Sequence, residues 1–265
     1  MTTRPHATAG TPNALRAPPV PDPAQVALFL DVDGTLLEFA SHPDAVRASR
    51  TLPALLNALW HRLDGALAPV SGRELEQIDR LLGLPLGGAA GLHGAQWRDA
   101  QGTLRCHAHD ADALESLRQD ARALAAALPG VLVEPKPNAI ALHFRNVPAA
   151  EPAVRRIAEE LSVRAGARFT LQHGDHVIEL KPAGIDKGAA LERLMHAPPF
   201  ARRVPWMVGD DHTDEHAFEA ARSLGGSAII VGERRPTRAD WALPDPAAVE
   251  AWLAALLARA DGADA

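Results

Sequence analysis

The chain has 265 residues, enough for one large or two modest domains, and its 47% hydrophobic and 23% charged residues indicate a packed core. A formal net charge of -6 argues against general nucleic-acid binding, which relies on basic surface, but permits a locally basic pocket for a small anion. The single cysteine, Cys106, excludes an internal disulfide, and no apolar run approaches the roughly 20 residues that cross a bilayer. We therefore expect a cytoplasmic monomer with neither a nucleic-acid nor a membrane partner.

Residues 1–24 are rich in proline, alanine and threonine and lack the apolar core of a secretory signal, so we expect a disordered N-terminal extension. Four short apolar runs follow, each halting at a small or acidic residue, as strands buried on both faces require. The runs span 26–30, 66–70, 204–208 and 227–231. Helical patterns lie between them, at 74–82, 187–195 and 214–224. This alternation predicts a parallel sheet whose ligands bind beyond the carboxyl ends of the strands.

The middle of the chain has a different pattern. Helical periodicity at 110–128 and 151–164 alternates with two strand pairs, 131–134 with 139–145 and 169–172 with 176–180. The resulting order, α-β-β-α-β-β, predicts a small α+β domain inserted into the α/β domain. We expect the insert to span 108–178, which leaves 25–107 and 179–265 for the catalytic core.

The segment Asp31-Val-Asp33-Gly34-Thr35 directly follows the first apolar run. Two carboxylates this close repel each other unless a cation lies between them, which implies Mg²⁺. With the metal bound, Asp31 can attack phosphorus, and Asp33 can protonate the leaving alkoxide. Gly34 and Thr35 leave backbone N–H groups free for phosphate oxygens. A bare Asp-x-Asp-Gly is equally typical of a polar turn after a strand.

Three further motifs carry candidate chemistry. Ser71 could bind phosphate at a helix N-terminus or simply cap that helix. Lys187 lies at the start of a predicted helix. It could neutralise charge on phosphate and nucleophile as the transition state forms, or it could be a solvated surface residue. The segment 209–215 contains four acids, more than a helix cap needs; Asp210 could complete the metal site. Asp211 or Asp214 could be a second ligand or could hold Lys187.

Together, in this order, these motifs resemble those of the haloacid dehalogenase (HAD) superfamily of phosphatases. Within that superfamily the chain resembles the trehalose-6-phosphate phosphatases, from about Leu28 to Gly232. The match rests on segments 30–36, 70–73, 91–94, 134–136, 143–145, 179–182, 186–188 and 209–215. The resemblance implies an α/β fold with a Rossmann-like, HAD-like parallel-sheet core and an inserted αββαββ cap. It also implies Mg²⁺-dependent hydrolysis of trehalose 6-phosphate through an aspartyl-phosphate.

The resemblance further implies a role for individual residues. The catalytic residues would be Asp31, Asp33 and Lys187. Phosphate would be bound by Asp31, Gly34, Thr35, Ser71, Gly72, Arg145 and Lys187. The substrate would also be contacted by Arg73, His93, Glu134, Lys136, Arg145 and Glu179. Mg²⁺ would be held by Asp31, Asp33 and Asp210, with Asp33 contributing its backbone carbonyl.

Other readings of the sequence stay open. The core motifs also fit a related phosphatase that acts on sucrose phosphate or mannosyl-phosphoglycerate, and a non-catalytic binder of sugar phosphates would share them. The segment His212-Thr-Asp-Glu215-His216 matches an inverted zinc-peptidase motif but overlaps the acidic motif. Cys106-His-Ala-His109 resembles half of a metal site and is more typical of an exposed linker.

Overall fold

The structure is a computed structural model that describes residues 15–38, 49–83, 87–107, 111–136, 138–174 and 176–259. The strands are β1 (Val26–Leu30), β2 (Leu67–Pro69), β3 (Ala89–Gly91), β4 (Gln96–Arg98), β5 (Leu104–Cys106), β6 (Leu132–Pro135), β7 (Ile140–His143), β8 (Phe169–Gly174), β9 (Val177–Pro182), β10 (Val204–Gly209), β11 (Ser227–Val231) and β12 (Trp241–Leu243). The helices are α1 (Leu52–Arg62), α2 (Leu75–Leu82), α3 (Ala111–Ala125), α4 (Glu151–Ala165), α5 (Lys187–Met195), α6 (Glu215–Ser223) and α7 (Pro246–Ala258).

The main sheet has the order β12-β11-β10-β1-β2, and all of its paired strands are parallel. Every residue of β1 is buried, as expected of a central strand covered on both faces. Helix α1 contacts α7, and α5 contacts α6, so helices cover the sheet. This architecture confirms the predicted α/β fold with a parallel-sheet core, and it brings the carboxyl ends of β1, β2 and β10 to one edge.

The insert contains α3, β6, β7, α4, β8 and β9, which is the predicted order of elements. Its four strands form an antiparallel sheet with the order β6-β7-β9-β8, and α3 and α4 pack together beside it over a separate hydrophobic core. Strand β9 continues to Pro182, past the expected boundary at residue 178, because its pairing with β8 extends to the Phe169–Pro182 partners. The sheet therefore leads almost directly into α5.

Several elements were not anticipated from the sequence. A small antiparallel sheet of β3, β4 and β5 follows α2, and it is joined to the end of β2 by a bridge between Val70 and Ala90. Helices α1 and α7 and strand β12 complete the core domain. Among the described residues, no helix has both the length and the apolar character that a membrane span requires.

The expectation of disorder across residues 1–24 is wrong for residues 15–24, whereas residues 1–14 lie outside the described part of the chain. Leu15 and Val20 pack against the main core. The Trp252 indole N–H donates a hydrogen bond of 3.1 Å to the Pro19 carbonyl oxygen, and the Ala242 N–H donates one of 3.0 Å to Arg16. These contacts order the segment although it has no regular secondary structure.

Candidate active site

The site begins where β1 and β10 end side by side. Leu30 pairs with Val208, and the Asp31 N–H donates to the Val208 carbonyl oxygen at 2.9 Å, so Asp31 lies beside the start of the acidic loop. Carboxylate oxygens of Asp31, Asp210 and Asp214 all lie within 4.8 Å of one another. The predicted convergence of these strand ends is therefore present in the structure.

Lys187 provides the cation among these acids. Its Nζ lies 2.8 Å from the Asp31 carboxylate and 2.7 Å from that of Asp214, and its side chain is only 3% exposed. Asp186 caps α5 by accepting a hydrogen bond of 2.8 Å from the Ala189 N–H, which fixes the first turn that carries Lys187. Burial alone would lower the pKa of Lys187, but the two carboxylates hold it above its ordinary range. Lys187 is therefore a permanent positive charge in this site.

Asp214 organises the loop after β10. Its Oδ2 accepts the N–H groups of Asp210 and Asp211 at 3.0 and 3.1 Å, while its Oδ1 accepts from Lys187. Gly209 is required here because a Cβ at this position would collide with the Asp214 side chain. Both oxygens of Asp214 are thus engaged by the protein, which identifies it as the residue that holds Lys187. Asp211 instead accepts hydrogen bonds of 2.7 Å from the N–H and hydroxyl of Thr213.

The acidic cluster fits a divalent cation. Burial raises the pKa of Asp31 to about 6, although Lys187 opposes this shift. Burial, followed by the charges of Asp214 and Asp211, raises the pKa of Asp210 to about 7. The cluster places three carboxylates around the single ammonium of Lys187, so its negative charge exceeds its positive charge when all three acids are ionised. Carboxylate oxygens are the ligands that Mg²⁺ prefers, so Asp31 and Asp210 could hold this ion.

Asp33 has a different position from the one expected of a metal-binding carboxylate. Both of its oxygens accept hydrogen bonds from the Arg73 guanidinium, at 2.6 and 2.7 Å. Its carboxylate is therefore not part of the acidic cluster, whose third member is Asp214. A metal contact through the Asp33 backbone carbonyl stays a prediction. Arg73, expected at the substrate, holds the predicted acid/base residue in this structure.

Ser71 and His93 form the floor of the site next to β2 and β3. Ser71 is buried, its Oγ accepts from the Arg73 N–H at 3.2 Å, and its carbonyl oxygen accepts from the His93 N–H at 2.9 Å. A Cβ on Gly72 would lie 2.6 Å from His93 Nε2, so only glycine allows this approach. Burial, then the charges of Lys187 and Lys181, lowers the pKa of His93 to about 4. The imidazole is consequently neutral at physiological pH.

The remaining predicted phosphate-binding residues lie in the turn after β1. Thr35 is fully buried, and its hydroxyl donates a hydrogen bond of 3.2 Å to Asp210 Oδ1. Gly34 has a φ of 79°, a conformation that glycine adopts without strain, and its N–H donates to the Leu37 carbonyl oxygen at 2.7 Å. The turn therefore closes on itself beside the acidic cluster. Phosphate contacts from Gly34 and Thr35 stay predictions.

A cavity of about 280 Å³ lies between the core and the insert. Gly72 and His93 line it from the core, and the insert contributes the charged side chains of Glu134, Lys136, Glu179 and Lys181. The Lys136 ammonium lies 3.1 Å from the Glu179 carboxylate. Three predicted substrate contacts, Glu134, Lys136 and Glu179, are thus brought together opposite Gly72 and His93 of the core. We name this space the β6-side cavity.

Lys181 was missed as a candidate, and Arg145 lies outside the lining of the β6-side cavity. Lys181 lies two residues after Glu179 on β9, so strand alternation alone places both on the same face of the sheet. Arg145 follows β7 at the end remote from the Lys136–Ala139 turn, is exposed, and does not line the β6-side cavity. The contacts of Arg145 with phosphate and substrate stay predictions.

The alternative metal motifs do not form sites in the described structure. Glu215 of the inverted zinc motif instead pairs with Arg234 and accepts the Arg238 N–H at 2.7 Å. Cys106 is exposed on β5, and His109 lies outside the described residues. Within the part of the chain that the structure describes, the acidic cluster of Asp31, Asp210 and Asp214 is the only such group of three or more potential ligands.

Comparison with known proteins gives a consistent result. Residues 29–247 match the family model described as trehalose-phosphatase. Over 231 residues the chain is 41% identical to a probable trehalose-phosphate phosphatase of Sinorhizobium fredii, covering 87% of each chain. It is 37% identical to the trehalose-6-phosphate phosphatase of Escherichia coli, covering 87% of this chain and 86% of that protein. The fold matches Aspergillus fumigatus trehalose-6-phosphate phosphatase with a TM-score of 0.73 at 24% identity, covering 88% and 93% of the two chains.

Proposed function

Because the chain belongs to the trehalose-phosphatase family and is thus a phosphoric monoester hydrolase, we propose that it hydrolyses trehalose 6-phosphate to trehalose and phosphate. The reaction is the last step of trehalose biosynthesis and proceeds through an aspartyl-phosphate on Asp31. One observation carries the proposal: His93, which is close enough to Lys187 for that charge to lower its pKa, lines a cavity whose opposite wall is built from charged side chains suited to sugar hydroxyls. The insert acts as the cap that encloses the substrate.

In the first half of the reaction, an Asp31 oxygen forms a bond to phosphorus while the phosphorus–oxygen bond to the sugar breaks. Lys187 keeps Asp31 ionised and neutralises charge that develops on the phosphoryl oxygens. Asp33 gives its proton to the departing sugar oxygen, so that neutral trehalose leaves. For this step Asp33 must exchange its hydrogen bonds to Arg73 for one to the leaving oxygen. A Mg²⁺ ion held by Asp31 and Asp210 would supply further charge neutralisation.

In the second half, Asp33 accepts a proton from a water molecule whose oxygen attacks phosphorus. The bond between phosphorus and Asp31 breaks, which restores the carboxylate and releases inorganic phosphate. Ser71 and the backbone N–H of Thr35 orient the phosphoryl oxygens through both halves, while the Gly34 N–H stays hydrogen-bonded to the Leu37 carbonyl oxygen. His93, neutral and lining the β6-side cavity, exchanges hydrogen bonds with the sugar without adding charge.

The experiment is phosphate release from trehalose 6-phosphate, sucrose 6-phosphate, glucose 6-phosphate and an aryl phosphate, each with Mg²⁺ and with chelator. Wild type is compared with Asp31→Asn, which keeps the shape of the side chain but removes the nucleophile. We expect Mg²⁺-dependent preference for trehalose 6-phosphate that the variant lacks. If the protein prefers another sugar phosphate, it is a related phosphatase with a different substrate. If the folded, Mg²⁺-loaded protein hydrolyses none of the esters, it binds sugar phosphates without catalysis.

We propose in addition that the enzyme is a cytoplasmic monomer without nucleic-acid or membrane partners. Light scattering coupled to size-exclusion chromatography measures its mass in solution against the 28.1 kDa of one chain. A mass of twice this value would contradict the monomer.

A further inference from the structure

Strand β11 ends beside β10 at the same edge of the main sheet, because Gly209 of β10 pairs with Ile230 of β11. The chain that leaves β11 therefore runs next to the loop after β10, residues 210–214. We propose that Arg234, three residues beyond the end of β11, is a positioning residue that holds this loop in the geometry that binds Mg²⁺. The inference rests on the proposed function, which assigns the ion to the acidic cluster.

The Arg234 guanidinium donates hydrogen bonds to two backbone carbonyl groups of this loop. Its Nε donates to the Asp210 carbonyl oxygen at 3.1 Å, and its Nη2 donates to that of Asp211 at 3.1 Å. Its third nitrogen, Nη1, donates to the Pro236 carbonyl oxygen at 3.2 Å. The planar guanidinium thus joins the loop after β10 to the turn after β11. The single ammonium of a lysine does not reproduce this fixed arrangement of donors.

Asp214 holds the same two residues through their other backbone groups. Its Oδ2 accepts the N–H groups of Asp210 and Asp211, whereas Arg234 donates to their carbonyl oxygens. The backbone of both residues is therefore bound by two side chains, one on the N–H groups and one on the carbonyl groups. Because residues 210–211 have no regular secondary structure, these hydrogen bonds fix where the Asp210 carboxylate lies.

Glu215 holds Arg234 in place. One of its carboxylate oxygens pairs with Arg234 Nη2, and the other accepts the Arg238 N–H at 2.7 Å. The side chains of Arg234 and Glu215 are 30% and 12% exposed, so the pair is largely shielded from water. Because the carboxylate compensates the guanidinium, Arg234 acts on the loop through its hydrogen bonds rather than through a net positive charge.

A residue that orients a metal ligand affects metal affinity without touching the ion. Partners of this kind typically change metal affinity by roughly 10- to 100-fold when they are removed. The Thr35 hydroxyl holds one carboxylate oxygen of Asp210 at 3.2 Å, and Arg234 holds the backbone of the same residue. Mg²⁺ demands nearly ideal octahedral geometry, so a small displacement of Asp210 weakens its binding. Removal of Arg234 should therefore weaken Mg²⁺ binding in a protein that is still folded.

The test is calorimetric titration of Mg²⁺ into metal-free wild type, Arg234→Met and Arg234→Lys. The matched control is Arg238→Met, which removes the same charge from the same turn, where the side chain is 55% exposed and pairs with Glu219. We expect Arg234→Met to raise the Kd of Mg²⁺ by roughly 10- to 100-fold. Arg234→Lys should also raise it, because an ammonium lacks the planar set of donors. Arg238→Met should leave it within about twofold, as loss of an exposed ion pair has little effect.

Two further measurements separate positioning from a general loss of structure. Circular dichroism in chelator reports whether each variant folds; if Arg234→Met does not, Arg234→Lys, which keeps a positive charge beside Glu215, carries the comparison. In assays with trehalose 6-phosphate, raising the Mg²⁺ concentration should restore kcat of the Arg234 variants toward the wild-type value, because the bound ion itself orders its ligands. A kcat that stays low at saturating Mg²⁺ would show general damage and would contradict positioning.

Equal Kd values in wild type and Arg234→Met, or tighter binding in Arg234→Met, would overturn the inference and leave the proposed function intact. Wild-type affinity in Arg234→Lys would also overturn it, since a positive charge would then suffice. If wild type binds no Mg²⁺, or if Asp210→Asn binds it as tightly as wild type, the metal site of the proposed function is wrong and the inference is overturned with it. If wild type binds Mg²⁺ but hydrolyses no ester, only the proposed function fails, and the titration still decides the role of Arg234.

Discussion

The ammonium of Lys187 lies 2.7 Å from the carboxylate of Asp214, and the two side chains are 3% and 0% exposed. Removing one partner of a buried pair leaves an uncompensated charge and costs about 3–5 kcal/mol. We therefore expect Lys187→Met to lower the free energy of unfolding by an amount in this range and to abolish phosphatase activity. Urea denaturation and phosphate release measure the two effects.

A double variant separates structure from chemistry at this pair. In Lys187→Met/Asp214→Asn the second charge is removed as well, so we expect stability to recover by at least half of the loss. Activity should stay absent because the cation beside Asp31 is still missing. Recovery of activity in the double variant would show that Lys187 serves only to compensate Asp214.

Asp210 predicts a pH dependence of stability in the metal-free protein. Burial, then Asp214 and Asp211, raises its pKa from 3.8 to about 7. Between these values the folded state retains a proton that the unfolded state has lost, so stability falls as pH rises through this window. Thermal unfolding in chelator from pH 4 to pH 8 should show this decline. Asp210→Asn should make the decline shallower, with the rest due to Asp31 and Asp214, whose pKa values are also raised, while Asp112→Asn, an exposed control on α3, should leave it unchanged.

The same cluster predicts how Mg²⁺ affects stability. An ion that binds the folded but not the unfolded chain stabilises the fold by RT ln(1 + [Mg²⁺]/Kd) and therefore raises Tm. We expect the rise in Tm to be larger at pH 8 than at pH 5, since Asp31 and Asp210 must lose their protons to bind the ion. Asp210→Asn should lose most of the effect. An equal rise in Tm for wild type and variant would place the ion elsewhere.

Glu179 tests whether the insert determines the substrate. Its carboxylate pairs with Lys136 in the β6-side cavity. We expect Glu179→Gln to lower kcat/KM for trehalose 6-phosphate by roughly 10- to 100-fold, because the amide cannot make the same hydrogen bonds to sugar hydroxyls as the carboxylate. Hydrolysis of an aryl phosphate should change less than about twofold by the same reasoning. Glu159→Gln, exposed on α4, provides the control; equal losses on both substrates would contradict a role confined to sugar binding.

The ordered part of the N-terminal segment predicts a stability change without a change in activity. The Trp252 indole donates to the Pro19 carbonyl oxygen, so Trp252→Phe should lower the free energy of unfolding by about 1 kcal/mol. Trp60 offers a matched comparison because its indole N–H is buried and has no partner among the described residues. Trp60→Phe should cost less than Trp252→Phe in the same denaturation experiment. The reverse order would show that the segment contributes little to stability.

The sequence predicted those site residues that directly follow an apolar run. Such runs predict buried strands, and parallel strands align their carboxyl ends, so the convergence of Asp31 and Asp210 could be expected. The strands β3, β4 and β5 have three residues each, too few to produce a periodic signal. The segment before β1 has no periodicity either, and only its contacts with α7 and β12 order it.

The pattern of apolar and polar residues does not predict which residues from distant segments of the chain come into contact. Arg145 follows β7, which lies between the strands that carry Glu134 and Glu179, but the sequence does not say which end of β7 faces the core. The bidentate contact between Arg73 and Asp33 joins two segments separated by a helix and a strand. Such pairings depend on side-chain direction after the chain has folded, and the local pattern of residues does not encode that direction.

Strand β9 and helix α5 are consecutive in the chain and are connected only by the turn Ala183–Asp186. Glu179 and Lys181, which line the β6-side cavity, therefore lie on the same short length of polypeptide as Lys187, which contacts Asp31. Only four residues therefore separate the strand that lines the cavity from the helix that carries Lys187, so little intervening chain is present to absorb a change in the position of the insert sheet.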